Sequence, residues 1–340
     1  MTTVLDALNS SLHKVMVDDP RVYLIGQDVL DPYGGAFKVS RGLSDAFPRR
    51  VLTTPISEAG IVGLAGGMAL RGLRPVVEIM FGDFLTLAAD QIINGLTKFH
   101  WMYNEEVNVP LVIRTPMGGR RGYGPTHSQT LEKHFLGVPG LRVLAPCAFG
   151  DPGQLLADAI IKDDKPVLFI ENKLLYLQKV NDTKALEDFD LAVNAIPGSY
   201  APCYLFSLQG APSPSLTLLT YGYMAGLALL AAHRLAYEHE LFCELLVVTQ
   251  LVNFERQPPL PEIMLSSMRQ TRRMLTIEEG GYTMGWGAEM LARAKEALGS
   301  VLISARRVAA QDTPIPASIE LENNTLPGVE NIIQTALSMV

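Results

Sequence analysis

The sequence has few cysteines, and this limits the kinds of structure it can form. Cys147, Cys203 and Cys243 are its three cysteines in 340 residues, and they lie far apart in apolar surroundings. An odd number at such spacings argues against a disulfide scaffold and against a zinc site built from cysteine pairs. We predict reduced, buried thiols that pack as small apolar side chains.

The sequence also lacks an excess of basic residues and any long hydrophobic run. Its 28 Lys and Arg are outnumbered by 35 Asp and Glu, which gives a net charge of −7 and argues against nucleic acid as the chief partner. The first 19 residues carry acids and polar side chains where a signal peptide needs an unbroken apolar segment. No apolar run approaches the length of a membrane span. We therefore expect a cytoplasmic protein with no membrane segment.

What the sequence does contain is an alternation of short apolar runs and helical patterns. Strands are predicted in "VYLIG", "PVVEI", "PLVIR", "RVLAP" and "PVLFIE", whose lack of polar alternation is typical of a sheet covered on both faces. Helices are predicted over 83–100 and 151–163, the second with Asp151 as N-cap and Pro152 in the first turn. The pattern predicts an α/β fold with a mostly parallel sheet.

The pattern is interrupted once, over residues 181–214. Pro, Gly and Ser are spaced there too closely for long elements, so we interpret the segment as a linker. A second α/β series follows, with strands predicted in "SLTLLTY", "CELLVVT", "RMLTIEE" and "VLISARR" and helices over 224–239 and 286–299. We therefore predict two domains, residues 1–180 and residues 215–340.

The stretch "VLTTPISEAGIVGLAGG" combines a strand, a helix start and closely spaced glycines. Ser57 suits an N-cap, and Glu58 in the first turn is favoured by the helix dipole by about 0.3–1 kcal/mol. Glycines recur at every third position, which puts them on one helical face where a backbone or a cofactor can approach closely. They are Gly60, Gly63 and Gly66. Glu58 is therefore either a helix-entry acid or the partner of a polar heterocycle bound at the carboxyl end of a strand.

A second stretch, "MGGRRGYGPTHSQT" at 117–130, reads as a loop. Its four glycines and its proline predict mobility unless a ligand holds it, and Arg120 and Arg121 could offer charge to an anion. The plain alternative is a solvated basic loop. His127 lies in this segment, and a histidine can titrate or stay neutral near pH 7.

These motifs and others resemble one enzyme family. Glu58, then Gly63 after four residues and Gly66 after two more, resembles the pyrimidine-domain motif of thiamine diphosphate enzymes. The likeness extends through "GQDVLDPYGGAFKVSRGL", "PTHSQTLEKHFLGVPGLRVLAP", "PVLFIENKLLY" and "LTIEEGGYTMGWGAE". The chain thereby resembles the beta subunit of the decarboxylating component of 2-oxo acid dehydrogenase complexes. The resemblance implies a transketolase-like pyrimidine domain followed by a smaller α/β transketolase C-terminal domain.

The resemblance also implies roles for individual residues. Glu58 would share a proton with a ring nitrogen of the thiamine aminopyrimidine, and a dry pocket favours a protonated carboxyl. Phe84 matches the position whose ring packs against the aminopyrimidine. Met80 and Ile56 would line the same pocket, unless they are ordinary core residues. His127 matches the loop histidine that helps to place the substrate carboxylate and passes protons during acyl transfer.

One motif of the family is absent from this chain. Family members hold the diphosphate and its magnesium through a Gly-Asp-Gly segment, whereas the nearest match here, "FGDF", lacks the second glycine. The resemblance therefore implies that this chain provides half of a thiamine diphosphate site and no metal ligand. An alpha subunit would supply the diphosphate and Mg²⁺ half, in a heterotetramer of two alpha and two beta chains.

The chain departs from the family pattern at a few other positions. Gln27 stands where the family commonly has Glu, and Leu87 stands at a position that is often acidic. The family commonly has a potassium site near Asp163, and here Lys165 replaces the usual Asn. With Gln27 and Leu87 at their positions, two carboxylates that link paired sites in the family would be missing.

The function that the resemblance implies is decarboxylation of a pyruvate-like 2-oxo acid and transfer of the acyl group to lipoamide or another acceptor. Partners would be an alpha subunit and a lipoyl acyltransferase or an acyl carrier protein. Two alternatives stay open: a two-subunit transferase that forms acyloins or cleaves acetoin, and a non-catalytic scaffold subunit. The presence of Glu58, Phe84 and His127 together speaks against the scaffold. The identity of the 2-oxo acid is not encoded in this chain alone, because the alpha subunit would share the pocket.

Overall fold

Two β-sheets organise the chain. The computed structural model describes residues 2–182, 186–196, 198–252 and 260–340. The first sheet contains β1 Val22–Gly26, β2 Val51–Thr53, β3 Arg74–Glu78, β4 Val112–Met117, β5 Arg142–Leu144, β6 Val167–Asn172 and β11 Gln250–Val252. The second contains β7 Phe189–Asn194, β8 Cys203–Leu208, β9 Leu216–Tyr221, β10 Cys243–Val248, β12 Arg273–Gly281 and β13 Ser304–Ala310.

Helices connect the strands and cover the sheets. The α-helices are α1 Val4–Asp18, α2 Leu43–Ala46, α3 Glu58–Leu70, α4 Thr97–Met102, α5 Pro152–Lys162, α6 Met224–His239, α7 Glu262–Thr271, α8 Trp286–Leu298, α9 Ile319–Thr325 and α10 Val329–Leu337. Shorter 3-10 segments are Gly82–Ala88, Glu132–His134, Leu175–Leu177 and Gly299–Val301, and Gln91–Leu96 is π-helical. No helix among the described residues is both long enough and apolar enough to cross a bilayer.

The first sheet confirms the predicted α/β architecture. Its strand order is β11-β5-β6-β4-β3-β1-β2, and all of its pairings are parallel except that between β11 and β5. Every residue of β4 is buried, as the absence of polar alternation predicted. Because adjacent parallel strands end at the same edge, the segments that follow β1, β2, β3, β4 and β6 meet there.

The second sheet has the order β13-β12-β9-β10-β8-β7 and is parallel in its first four strands. Strands β7 and β8 add to it as an antiparallel hairpin. Both lie within residues 181–214, so the segment interpreted as a linker contains two six-residue strands, 189–194 and 203–208. The prolines and glycines fall outside these strands. The apolar run "CYLF" at the start of β8 is the strand signal in this segment. The boundaries at 180 and 215 stay a prediction, and β11 of the second half completes the first sheet.

Most helix predictions are confirmed. Asp151 caps α5 and accepts a hydrogen bond from the Gln154 amide at 2.8 Å, with Pro152 at the helix start. Helices α6 and α8 lie where they were predicted. The single helix predicted over 83–100 is instead a 3-10 helix, a π-helical segment and α4. A continuous amphipathic pattern carries no sign of such changes in hydrogen bonding, which are set by packing.

All three cysteines are buried and free, as predicted. Burial raises the pKa of each thiol to about 12, so each stays a thiol at neutral pH. They contribute to the cores as apolar side chains.

Candidate active site

The candidate site lies at the carboxyl edge of the first sheet. Gln27 follows β1, Glu58 begins α3 after β2, Phe84 follows β3, the loop with His127 follows β4, and Lys173 follows β6. The five strands are adjacent in the sheet, in the order β6-β4-β3-β1-β2. The crevice outside such an edge is the usual ligand site of open α/β sheets.

Glu58 is both a helix-entry residue and a buried acid. Ser57 caps the helix by accepting a hydrogen bond from the Gly60 amide at 3.3 Å, so the predicted N-cap is present. A carboxylate that only interacts with the helix dipole can stay in solvent, yet Glu58 is 5% exposed. Its Oε1 accepts a hydrogen bond from the Gln27 amide, with 3.1 Å between Nε2 and Oε1. Among the described residues no donor contacts Oε2, so one oxygen is left for a ligand.

The glycines of α3 differ in what approaches them. A Cβ on Gly66 would lie 2.4 Å from Leu96 Cδ2, so this glycine admits a side chain of the π-helical segment. Gly60 faces its own cap residue Ser57, and Gly63 has room for a Cβ. Close packing within the chain therefore accounts for Gly66, and the approach of a cofactor to this face stays a prediction.

Phe84 and His127, far apart in the sequence, lie together. Their ring centroids are 5.2 Å apart in an edge-to-face arrangement, and Phe81 approaches His127 in the same way at 4.9 Å. Nδ1 of His127 lies 3.0 Å from the Thr126 hydroxyl. The half-buried imidazole thus packs nearly perpendicular to two aromatic rings, and its Nε2 has no hydrogen-bond partner among the described residues.

Met80 and Ile56 are less enclosed within this chain. Met80 is half-buried after β3, and Ile56 is 82% exposed. Their predicted place in the pyrimidine pocket stays a prediction. Leu87, where the family often has an acid, is also exposed, on the 3-10 helix Gly82–Ala88.

The loop between β4 and the 3-10 turn at 132 is held by the C-terminal half of the chain. We call residues 118–130 the histidine loop. Glu279 accepts a hydrogen bond from the Gly119 amide at 2.9 Å, and Glu322 accepts from the amides of Arg120 and Gly122 at 2.7 and 3.0 Å. The prediction that this loop needs a ligand to hold it is therefore wrong, because two carboxylates of the same chain do so.

The two arginines of the histidine loop differ in their contacts. Arg120 pairs with Glu279 at 3.3 Å and donates to the Pro327 carbonyl at 2.6 Å. Contrary to the expectation, it is therefore not available to an anion. Arg121 is exposed and its guanidinium lies over two aromatic rings near His127. Those rings belong to Phe37 and Tyr123, at 5.8 and 5.5 Å. Arg121 therefore keeps the predicted capacity to meet an anionic substrate.

The far end of the histidine loop is fixed from beneath. Oδ1 of the buried Asp83 accepts from the Gln129 backbone and side-chain amides at 3.2 and 2.9 Å. Oδ2 of Asp83 is buried without a partner among the described residues. Asp83 immediately precedes Phe84, so the same segment positions the aromatic wall and the loop.

Lys173 is a site residue that the sequence reasoning missed. It is fully buried, and its ammonium donates to the carbonyls of Gly118 at 2.6 Å and His127 at 2.7 Å. Burial lowers its pKa to about 8, against the attraction of Asp83 and Glu279. A lysine directly after a buried strand, in "ENKLLY", was the available signal, since lysine is seldom buried without a role.

A buried ion triad fixes the strand ends below the site. Arg114 of β4 binds both oxygens of Glu171, at 2.9 and 2.6 Å, and also contacts Glu78 of β3. Ser40 donates to Glu78, and Tyr176 donates to Glu171. Burial raises the pKa of Glu78 while Arg114 lowers it. A fully hydrogen-bonded network of this kind makes the edge of the sheet rigid.

Two adjacent acids in the "TIEEGG" motif act on opposite faces of β12. Glu279 reaches the histidine loop, whereas Glu278 accepts from the amides of Trp286 and Gly287, both at 2.8 Å, at the start of α8. Burial, with repulsion from Glu132, raises the pKa of Glu278 to about 8. Both acids are visible in the sequence. Their separate partners follow only from the structure, in which successive residues of β12 point to opposite faces.

The oxygens near Asp163 already have donors from the chain. The Asp163 carboxylate accepts from Arg142 at 2.6 Å and from the Tyr200 hydroxyl at 2.7 Å. Arg74 donates to the carbonyls of Ile160 and Asp163, at 2.9 and 2.8 Å. A guanidinium thus occupies the position in which those carbonyls could bind a cation.

Comparisons with known proteins agree with this architecture. The model of the transketolase pyrimidine binding domain matches residues 1–178, and that of the transketolase C-terminal domain matches residues 209–332. A structure titled "Split gene transketolase, inactive beta4 tetramer" superposes with a TM-score of 0.71, covering 99% of this chain and 97% of that one at 19% identity. This likeness shows the fold.

Sequence relatives are more specific. Pyruvate dehydrogenase E1 component subunit beta-1 of Arabidopsis thaliana is 37% identical over 98% of this chain and 88% of its own length. The corresponding beta subunit of Rickettsia bellii is 34% identical, over 97% and 96%. That of Drosophila melanogaster is 36% identical, over 99% and 89%. With its two transketolase-type domains, the chain belongs to the family of beta subunits of thiamine diphosphate dependent 2-oxo acid dehydrogenases.

Proposed function

We propose that this chain is a catalytic beta subunit that acts with an alpha subunit to decarboxylate a 2-oxo acid of the pyruvate type and to pass the acyl group to lipoamide or another acceptor. The observation that carries the proposal is the environment of Glu58. Its carboxyl group is buried at the carboxyl edge of the sheet, accepts from one neutral amide and has no cationic partner among the described residues. A structural acid with no cation would normally stay in water.

The residues present suit thiamine diphosphate. Oε2 of Glu58 is free to share a proton with a ring nitrogen, while Gln27 holds the other oxygen and so fixes the plane of the carboxyl group. When bound, thiamine diphosphate supplies the electron sink that decarboxylation needs. The ring of Phe84 offers an apolar face for the pyrimidine, at a site that His127 also borders.

The histidine loop supplies the groups that act on the substrate. His127 is placed by the rings of Phe81 and Phe84, and an imidazole can act as a general acid or base. Arg121 is the exposed cation next to it and is suited to a 2-oxo acid carboxylate. Because the loop is anchored before substrate binds, these groups need little reorganisation.

The alpha subunit and magnesium belong to the same proposal. The chain contains no Gly-Asp-Gly segment, so a partner would bring the diphosphate and Mg²⁺ half of the site, in a heterotetramer of two alpha and two beta chains. Calorimetry on the isolated chain with thiamine diphosphate and Mg²⁺ tests this, with weak or no binding expected. Tight binding without a partner would contradict it.

The test of catalysis is Glu58→Gln in the assembled enzyme. We expect the variant to fold and assemble but to lose proton exchange at the thiazolium carbon, followed by NMR, because an amide cannot share the required proton. Glu262→Gln is the matched control, since Glu262 also opens a helix, α7, but is exposed and pairs with Arg269. Exchange in Glu58→Gln as fast as in this control would rule out the assignment.

A further inference from the structure

The start of the histidine loop and His127 are joined by a single side chain. Lys173 Nζ donates to the carbonyl of Gly118, the first residue of the loop, and to that of His127, nine positions later. The donor distances of 2.6 and 2.7 Å are those of strong, charge-assisted hydrogen bonds. The ammonium also lies 5.4 Å from the centroid of Phe81, whose ring packs against His127.

Other backbone groups of the loop are held by negative charges. Glu279 and Glu322 accept the amides of Gly119, Arg120 and Gly122, while the ammonium takes carbonyls. Acids from the C-terminal half thus bind the donors of the loop, and a lysine from the first sheet binds its acceptors. The backbone of the loop is satisfied by buried charges on both sides, which is an unusual use of a buried cation.

Charged groups of both signs surround the ammonium. Asp83, Glu279 and Glu322 attract it, Arg121 repels it, and burial opposes its charge. Its pKa of about 8 lies close enough to neutrality for mild alkali to remove the charge. His127 enters this set only through its carbonyl.

We propose that Lys173 is a positioning residue that ties Gly118, at the start of the histidine loop, to His127 and so keeps His127 against Phe81 and Phe84. Loss of the ammonium should free the loop without disturbing Glu58, which lies on a different segment. The effect on turnover rests on the proposed function, but the effect on the loop does not.

The loop is tested on the full chain by hydrogen exchange with mass spectrometry. In Lys173→Met, peptides covering 118–127 should exchange at least about tenfold faster, because two charge-assisted hydrogen bonds are lost. Lys295→Met is the matched control, since Lys295 also donates to two carbonyls, those of Gly299 and Leu302, but is exposed on α8. Loop exchange equal to that of the wild type and the control would overturn the proposal.

A second variant keeps the proposal testable if Lys173→Met does not fold. In Lys173→Gln, which keeps hydrogen-bond donors but removes the charge, limited trypsin cleavage after Arg121 at pH 7 should be faster than in the wild type, while cleavage at exposed sites outside the loop stays unchanged. Equal cleavage after Arg121 in the two proteins would overturn the proposal.

The consequence for turnover is tested in the assembled enzyme. Lys173→Met should lower kcat for acyl transfer about tenfold or more while cofactor proton exchange continues, since only the placement of His127 changes. A parallel loss of both would show that Lys173 shapes the cofactor site and would contradict a positioning role. If the wild-type complex shows no cofactor proton exchange, the proposed function fails, while the exchange and trypsin results still decide the role of Lys173 in the loop.

Discussion

The two candidate catalytic side chains lie in segments that are held very differently. Three buried charged residues from both halves of the chain, Lys173, Glu279 and Glu322, fix the histidine loop. The Glu58 carboxylate has one hydrogen bond among the described residues, from the neutral amide of Gln27. The histidine loop is therefore held by groups of this chain, whereas the Glu58 carboxylate keeps one oxygen without a donor among the described residues.

Surface exposure follows the same division. Around the start of α3 and on the neighbouring 3-10 helix, apolar side chains face outward: Ile56 at 82%, Leu64 at 55% and Leu87 at 61% exposure. Exposed apolar surface of this kind is typical of interaction sites. If the proposed alpha subunit binds here, it would bury the cofactor side of the crevice and leave the histidine loop to this chain.

The largest effect is expected from a substitution in the buried ion triad, which lies below both segments. Arg114 binds Glu78, at the end of strand β3 next to β1, and Glu171, two residues before Lys173. Arg114→Met therefore leaves two buried carboxylates without a cation. We expect the free energy of unfolding to fall by about 3–5 kcal/mol, measured by denaturant titration. Arg269→Met, which breaks the exposed pair with Glu262, should cost about 0–1 kcal/mol. A loss in Arg114→Met no larger than in this control would show that the triad does not support the edge.

Removing the imidazole separates the two segments in function. His127→Ala should slow steady-state acyl transfer on the order of a hundredfold or more, because general acid–base and positioning roles have that size. Proton exchange at the cofactor should continue, since Glu58 is untouched. The control is His239→Ala, at the exposed end of α6. If both steps fall together, His127 shapes the cofactor site; if neither changes, the loop acts through other residues.

The elements near Glu58 could be predicted from the sequence because they depend on local patterns. Apolar runs gave β1, β3, β4 and β6, and the Ser57 cap followed from residue type alone. The juxtaposition of Phe84 and His127 required the family resemblance, since 43 positions separate them. Burial of Glu58 was expected only once the resemblance assigned it a proton-sharing role.

The anchoring of the histidine loop could not be predicted in the same way. Glu279 and Glu322 contact it across 160 and 202 positions of sequence, and no local pattern carries such a pairing. Glycine content suggested mobility, yet Gly118, Gly122 and Gly124 have positive φ angles, which lets the amides and carbonyls of the loop turn toward these charges. The glycines therefore serve a fixed conformation.

A smaller effect is expected from giving Glu58 a charged neighbour. In Gln27→Glu, two carboxyls would share one site and hold one proton to a higher pH, because like charges in contact cannot both ionise easily. The alkaline limb of the pH profile for cofactor proton exchange should move upward by roughly one pH unit, because the shared proton is lost at a higher pH. Gln154→Glu is the matched control, since Gln154 donates to the Asp158 carboxylate at 2.7 Å on α5, outside the site. An unshifted profile would mean that the contact with Gln27 does not govern the protonation of the pair.

The smallest expected effect is a pH dependence of stability that Lys173 contributes. Its pKa is about 8 in the folded chain and near 10.5 when unfolded, so between these values the unfolded chain binds the extra proton. Stability from this group therefore rises as pH increases above 8, by at most about 1.4 kcal/mol per pH unit. The difference in unfolding free energy between wild type and Lys173→Met, measured at pH 7, 8 and 9, should shift in favour of the wild type above pH 8. A constant difference would mean that Lys173 keeps its ordinary pKa, because the nearby acids then offset its burial in full.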